Sequence, residues 1–192
     1  MLEFRQGRQG VIELRTLRDS DKDQIRHWRN LPEIRKFMYS DHEISPEEHE
    51  NWFRTVRRDP QRSYWIIVCD GVDVGLVNLY ARDEIHKRCY WAFYVAGKDL
   101  RGRGVGSFVE WWVLNHVFGD LGYHRLCCEV LQTNPAVINM HEHFGFQREG
   151  LFREHIWKEG QPVDVVSLAI LRQEWLSKRP EIEARLRRKG VI

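Results

Sequence analysis

The sequence predicts an α+β fold in which a mixed sheet of about seven strands is flanked by helices. The order of the segments carries this prediction: a strand, two helices, three strands, a helix, a strand, a helix and two strands. Alternating or β-branched apolar runs bounded by turn residues indicate the strands, and apolar residues three and four positions apart indicate the helices. We expect one domain over residues 1–192, with peripheral tails at 1–10 and 178–192.

Each element has a local signature. Ser20 resembles the cap of a short helix that runs through Trp28, and 34–39 is a second short apolar piece. Ser45 followed by Pro46 is a stronger helix start. Gly145 is a typical residue just past a helix end. The predicted strands are 11–17, 64–69, 73–80, 88–95, 124–131, 148–157 and 162–171, and the predicted later helices are 107–118, 135–144 and a basic C-terminal helix.

Composition excludes several classes of protein. A formal net charge of +2 is too small to indicate nucleic-acid binding, and acidic residues interrupt the basic C-terminal segment. We find no signal peptide and no apolar run long enough to span a membrane. The cysteines lack the spacing of metal ligands and lie in strand-like runs, so we expect no metal, buried reduced thiols and a cytoplasmic protein; they are Cys69, Cys89, Cys127 and Cys128.

The stretch 100–106, Leu-Arg-Gly-Arg-Gly-Val-Gly, lies between a predicted strand and a predicted helix. Its glycines let a ligand approach the backbone, and the helix start and two arginines favour an anion there. A P-loop requires a Lys that is absent, and Gly102, Gly104 and Gly106 are one residue short of the dinucleotide fingerprint. A pyrophosphate site therefore remains, against the alternative of a Gly-rich turn with solvated arginines.

Two motifs together resemble the GCN5-related N-acetyltransferases. Arg101, Gly104 and Gly106 satisfy the (Arg/Gln)-x-x-Gly-x-(Gly/Ala) pattern of that family's acetyl-CoA pyrophosphate loop. Asn134, Gly145 and Phe146 match the family's Asn-x-x-Ala-x-x-x-Tyr-x-x-x-Gly-Phe helix. The resemblance implies the acetyltransferase fold and acetyl-CoA as acetyl donor. It also implies cofactor contacts from the loop, from Asn134 and from the backbone of the preceding strand; they are Phe93, Tyr94, Val95, Arg101, Gly102, Arg103, Gly104, Val105, Gly106 and Asn134.

Two residues are candidates for proton transfer. His141 stands where the family often has Tyr as the acid for the leaving thiolate, and imidazolium is chemically able to replace it. The alternative is a surface histidine on an amphipathic helix. Glu129 is an acid in an apolar strand and is the candidate base for the substrate ammonium. Its alternatives are a solvent-facing carboxylate or a pair with Arg125.

The N-terminal third resembles the flagellar sugar acetyltransferases of pseudaminic acid synthesis, through Trp28-Arg29-Asn30, Met38-Tyr39 and Ile44-Ser45-x-Glu47-Glu48-His49. That resemblance implies acetylation of the 4-amino group of a UDP-linked 4-amino-4,6-dideoxy-N-acetyl-altrosamine, for flagellin glycosylation. A uridine ring suits an aromatic or thioether surface and a diphosphate suits a cation. The candidate substrate residues are Arg29, Met38, Tyr39, His49, Phe53 and Trp91, with core packing as the alternative for each.

Other functions remain open. One is an acetyltransferase for a ribosomal-protein N-terminus or an aminoglycoside, since Trp-Arg-Asn is shared with those enzymes. Another is a non-catalytic acyl-CoA sensor, which His141 in place of Tyr favours. A nucleic-acid-binding module rests only on the basic C-terminal segment. We expect a small-molecule nucleotide sugar as partner, with neither nucleic acid nor membrane, and leave open a homodimer.

Overall fold

A computed structural model describes residues 10–97, 100 and 102–192. The strands are β1 Ile12–Thr16, β2 Ser63–Cys69, β3 Val72–Asp83, β4 Arg88–Val95, β5 Arg125–Leu131, β6 Gln147–Lys158 and β7 Gln161–Leu171. The helices are α1 Lys22–Asn30, α2 Pro32–Arg35, α3 Pro46–Val56, α4 Val105–Asn115, α5 Pro135–Phe144 and α6 Arg172–Arg188. The strands form one seven-stranded sheet in the order β1-β2-β3-β4-β5-β7-β6, so the predicted α+β fold with a mixed sheet is confirmed.

Helix starts show where local signals were sufficient. The Ser45 hydroxyl accepts the backbone N–H of Glu48 at 3.1 Å, with Pro46 first in α3, as expected. Ser20, in contrast, does not cap α1. It lies in a 3₁₀ turn, Asp19–Asp21, because the Asp21 carboxylate accepts the N–H of Arg18 and pairs with Arg15. Within the predicted piece 34–39 only the first residues are helical, in α2.

The sheet opens between β4 and β5. These two strands are parallel and pair at Arg88–Arg125, Cys89–Leu126 and Tyr90–Cys127. Both strands continue beyond Tyr90 and Cys127, to Val95 and Leu131, but no longer pair with each other. The other neighbouring strands are antiparallel. On the side of β4 that faces β5, this divergence leaves backbone groups without a strand partner. It also opens a wedge at the edge of the sheet where the stretch 100–106, which we call the glycine loop, begins.

The sheet has a core on each face. The larger core packs α4, α5 and α6 on one face, and includes Val109, Leu168 and Trp175. The smaller core packs α1 and α3 on the other, and includes Trp28 and Phe53. The segment 178–192, expected to be a peripheral tail, contributes to the larger core, because Ile182 and Leu186 are buried in it and Val191 packs there. The segment 1–9 lies outside the described residues.

The four cysteines are free and buried, as expected. Among the described residues, no helix combines the length and the apolar character of a membrane span.

Candidate active site

A cleft that we call the main cleft lies where β4 and β5 diverge and has a volume of about 670 Å³. It is walled by the end of β4, the glycine loop, the first turn of α4, α5 and the end of α6. Its lining includes Phe93, Tyr94, Val95, Gly102, Gly104, Val105, Gly106, Asn134, Val137, Met140, Arg185 and Lys189. Most of the residues predicted to contact the cofactor, which are far apart in sequence, therefore meet in one space.

The glycine loop has the backbone that the sequence requires. Gly102 and Gly104 have φ values of 81° and 79°, a conformation that other residues rarely adopt. Gly104 is the N-cap of α4, and a Cβ on it would lie 2.5 Å from the Val191 side chain. The first N–H groups of α4 lack helical partners and carry the positive end of the helix dipole. This arrangement suits a diphosphate.

Both arginines of the glycine loop were predicted to contact the cofactor, but the structure describes only Arg103. Arg101 lies outside the described residues. Arg103 does not line the main cleft, because its guanidinium pairs with the carboxylate of Asp70 at the β2–β3 turn. The prediction that Arg103 faces a bound diphosphate is therefore wrong for this arrangement. Lys189 and Arg185, from the end of α6, are cations of the cleft wall that sequence reasoning placed in a peripheral tail.

Asn134 and β4 provide polar groups for the rest of a cofactor. Asn134 precedes α5 and lines the main cleft, and its side chain makes no capping hydrogen bond to the helix. Phe93, Tyr94 and Val95 line the same cleft beyond the last β4–β5 pair. The free backbone edge of β4 is thus available to an amide or thioester carbonyl, as in strand pairing.

His141 is placed in the core rather than in the cleft. Only 3% of the residue is exposed, and it is absent from the cleft lining. Its Nδ1 lies 2.8 Å from Oε1 of Glu110, and its ring contacts Trp91 and Phe146. The predictions of a cleft acid and of a surface histidine are both wrong, because the buried Glu110 carboxylate holds the imidazole inward.

Glu129 lies at the open end of the wedge. Continuing the β4–β5 register past Tyr90–Cys127 would place Glu129 opposite Ala92, so the divergence separates these two residues. The Tyr39 hydroxyl donates a hydrogen bond to Glu129 at 2.6 Å, and burial together with this carboxylate raises the pKa of Tyr39. Arg125 pairs with Glu149 and not with Glu129. Glu129 is therefore half-buried and held by Tyr39 beside the wedge.

A second cavity of about 270 Å³ adjoins the main cleft, and the two share Met38, Phe93 and Tyr94. Its other lining residues include Arg29, Ser40, Glu48, His49, Trp52, Tyr64, Asn78 and Ala92. The Arg29 guanidinium donates to the Ser40 hydroxyl at 3.1 Å through Nη2. Nη1 of Arg29 and the hydroxyl of Tyr94 are buried with no hydrogen-bond partner among the described residues. These unpaired donors suit a polar ligand group.

Several predicted substrate residues do not reach this cavity. Phe53 and Trp91 are buried in the two cores, at 6% and 1% exposure, so both rings pack against core residues and do not line the cavity. His49 lines the cavity, but its Nε2 bonds the carbonyl of Lys22 at 2.7 Å. Burial lowers the pKa of His49, which makes it a poor fixed cation.

Two lining residues of the second cavity were not predicted from the sequence. Trp52 is one of them, although it lies one turn from His49 on α3. Asn78 was missed too, although a polar residue in an apolar strand was a signal.

Comparison with known proteins identifies the fold. Residues 12–147 match the model of the acetyltransferase (GNAT) domain. The solved spermidine N-acetyltransferase from Vibrio cholerae, in complex with CoA and spermine, superposes with a TM-score of 0.79 at 23% identity. That match covers 86% of this chain and 98% of the other.

Curated relatives have more than one kind of name. The spermidine N(1)-acetyltransferase of Vibrio cholerae is 24% identical over 167 residues, covering 85% of this chain and 96% of the relative. The acetyltransferase PseH of Campylobacter jejuni is 25% identical over 135 residues, covering 69% and 82%.

The family match explains the geometry of the main cleft. The glycine loop, the end of β4 and Asn134 line this cleft, and the described residues contain no group of side chains suited to a metal ion. The chain belongs to the GNAT acetyltransferases and is an acetyl-CoA-dependent N-acetyltransferase.

Proposed function

We propose that this enzyme acetylates the 4-amino group of a UDP-linked 4-amino-4,6-dideoxy-N-acetylhexosamine, as in pseudaminic acid synthesis for flagellin glycosylation. Arg29 is the observation that carries the proposal: it lines the second cavity, and its Nη1 is buried without a hydrogen-bond partner among the described residues. A buried guanidinium loses hydration, and an anionic group of the substrate would restore the lost interactions.

The electrostatics of the second cavity support an acceptor that carries an anion. Burial lowers the pKa of Arg29 from its ordinary value, yet a guanidinium remains charged at neutral pH. The carboxylate of Glu48 is engaged by His42, whose Nε2 lies 3.0 Å from both its oxygens. A phosphate oxygen therefore suits Arg29, and the cavity is too small for a whole nucleotide sugar, so the nucleoside would extend beyond it.

The reaction we propose is direct transfer between the two spaces. The substrate nitrogen loses a proton to Glu129, directly or through water, and then attacks the thioester carbon. The C–N bond forms and the C–S bond breaks, the nitrogen releases its second proton to solvent, and the thiolate takes a proton from solvent. Backbone N–H groups of β4 at 93–95 bind the carbonyl oxygen as charge develops on it. Tyr39 supports Glu129 as base, because its hydrogen bond fixes the carboxylate.

A polyamine is the second candidate. The spermidine N(1)-acetyltransferase of Vibrio cholerae aligns over 85% of this chain, which favours a related amine. Glu33 lines the main cleft and Glu48 lines the second cavity, so carboxylates for a cationic substrate are present. Arg29 repels a polycation, because its guanidinium is positively charged and its Nη1 has no hydrogen-bond partner among the described residues. We therefore rank this candidate second.

A substrate panel tests the proposal. Purified protein with acetyl-CoA is given a UDP-4-amino-4,6-dideoxy-N-acetylhexosamine, the same sugar without the nucleotide, spermidine, an aminoglycoside or a ribosomal-protein N-terminal peptide. Mass spectrometry then follows the gain of one acetyl group. We expect rapid acetylation of the nucleotide sugar and slow acetylation of the free sugar. Preferred acetylation of spermidine or peptide would overturn the proposed substrate while leaving the family assignment intact.

A further inference from the structure

A buried acid–base pair joins the two helices that wall the main cleft. Glu110 lies on α4 and His141 on α5, and Oε1 of Glu110 is 2.8 Å from Nδ1 of His141. The side chain of Glu110 is 0% exposed and that of His141 is 4% exposed. The rings of Trp91 and Phe146 pack on the imidazole, so the pair has almost no freedom to reorient.

The pair lies close to residues of both helices that line the main cleft. Gly106 precedes Glu110 by one helical turn, and Met140 adjoins His141. Gly106 and Met140 both line the cleft. A Cβ added to Gly106 would lie 3.3 Å from the sulfur of Met140, so the helices are in close contact there. A change of length in the Glu110–His141 contact would therefore alter the width of the cleft.

The surroundings favour a retained contact rather than proton exchange with a substrate. Burial raises the pKa of Glu110, opposed by the charges of His141 and Arg185. Burial alone would lower the pKa of His141, but the charge of Glu110, the neighbouring Cys128 and the hydrogen bonds to both together outweigh burial and raise that pKa. The Cys128 thiol faces the imidazole, and burial raises its pKa, so it stays protonated. Neither member of the pair lines the main cleft or the second cavity.

We propose that Glu110 and His141 are positioning residues whose hydrogen bond sets the spacing of α4 and α5, and thereby the affinity of the enzyme for acetyl-CoA. The inference rests on the use of acetyl-CoA and not on the identity of the acceptor. The bond acts as a fixed-length link between two cleft walls. Its effect appears in cofactor binding, while kcat at saturating cofactor depends on other groups.

Paired substitutions of Glu110 test the link. Glu110→Gln keeps the length of the side chain and an oxygen that accepts the hydrogen bond, whereas Glu110→Asp shortens the side chain by one methylene. We expect calorimetry to give an acetyl-CoA Kd about tenfold higher for Glu110→Asp and about twofold higher for Glu110→Gln. A merely structural role would lower the melting temperature of both without this separation in Kd. Unchanged affinity in Glu110→Asp, or a weaker cofactor complex with Gln than with Asp, would overturn the proposal.

A second pair of variants covers the case in which Glu110→Asp does not fold. His141→Asn keeps an N–H donor near the position of Nδ1, and His141→Leu removes it. We expect near wild-type affinity for Asn and about a tenfold loss for Leu, with kcat at saturating acetyl-CoA within twofold of wild type for both. Glu142→Gln is the matched control, since Glu142 follows His141 on α5 and its ion pair with Arg148 of β6 is exposed. Equal affinities of the Asn and Leu variants would contradict the link.

Discussion

The main cleft and the second cavity adjoin one another, yet the chain builds them in different ways. The main cleft depends largely on two continuous stretches, the end of β4 with the glycine loop, and α5 with Asn134 before it. The second cavity is assembled from single side chains of α1, α3, β2, β3 and β4. The contrast teaches that a cofactor site made of backbone geometry leaves a motif in the sequence, whereas an acceptor site made of packed side chains does not.

The two spaces also differ in what they offer a ligand. The main cleft presents helix N–H groups and a free strand edge, which suit the diphosphate and amide groups of one invariant cofactor. The second cavity presents a buried guanidinium and aromatic rings, which under the proposed function select among acceptors. Substitutions that affect only one space therefore test whether the two act independently.

The largest effect is expected at Glu129, which lies on β5 beside the wedge but is not among the lining residues of either space. Glu129→Gln removes the base and should lower kcat on the amino sugar at least about a hundredfold, while the Kd for acetyl-CoA stays within twofold. Steady-state kinetics and calorimetry measure the two values. Glu149→Gln is the matched control, because this carboxylate pairs with Arg125 on the same sheet. An unchanged kcat in Glu129→Gln would remove Glu129 from the mechanism.

The next effect is confined to the main cleft. Gly104→Ala places a Cβ 2.5 Å from Val191, in addition to the strain of φ 79°. Gly102→Ala carries similar strain at φ 81°, but its Cβ meets no atom of the described residues within 4 Å. We expect the acetyl-CoA Kd to rise about thirtyfold for Gly104→Ala and less than fivefold for Gly102→Ala. Equal losses would show that backbone strain alone, rather than the contact with Val191, shapes the loop.

Arg29 provides the corresponding test of the second cavity. Arg29→Met removes a charge-assisted contact worth roughly 1.5–3 kcal/mol, so kcat/KM for the nucleotide sugar should fall about ten- to hundredfold. Acetyl-CoA affinity should not change, and the rate on spermidine should not fall. Arg54→Met, on the exposed face of α3, is the control. An equal loss on both acceptors would indicate that Arg29 supports the fold of the cavity rather than an anion.

The smallest expected effect is on the stability of the fold at acid pH, through Asp21, which precedes α1. Burial acts to raise the pKa of Asp21, but hydrogen bonds from Arg15 and the Arg18 N–H outweigh it and lower that pKa. The stabilisation is therefore complete above the ordinary carboxyl pKa of about 3.9 and is lost as pH falls through the lower folded value. Asp21→Asn should lower the free energy of unfolding by about 1 kcal/mol at neutral pH. It should also reduce the loss of stability at acid pH, and urea unfolding at several pH values measures both. An unaltered loss of stability at acid pH would contradict this assignment.

The fold was predictable because its signals are local. Ser45–Pro46 starts α3 as expected, and the glycine loop and Gly145 have the positive φ values that glycine permits. The resemblance predicted cofactor contacts from the backbone of the strand at 93–95, and these residues lie beyond the last β4–β5 pair and line the main cleft. These features depend on backbone conformation, which nearby residues determine.

The acceptor side was less predictable because its residues are selected by long-range packing. His49, Trp52 and Phe53 share one helix, yet only the first two line the cavity, since Phe53 packs into the core beneath α3. His141 faces inward because of Glu110, which is 31 positions away. An apolar helix pattern does not reveal a buried carboxylate on a neighbouring helix, so the role of His141 could not be predicted from its motif.

A competition assay tests the central claim most directly. Equal concentrations of a UDP-4-amino-4,6-dideoxy-N-acetylhexosamine and spermidine share one solution with limiting acetyl-CoA, and mass spectrometry measures the product ratio, which equals the ratio of the two kcat/KM values. We predict that the acetylated nucleotide sugar exceeds acetylspermidine at least about a hundredfold, and that Arg29→Met narrows the ratio. Acetylspermidine as the main product of the wild-type enzyme would contradict the account.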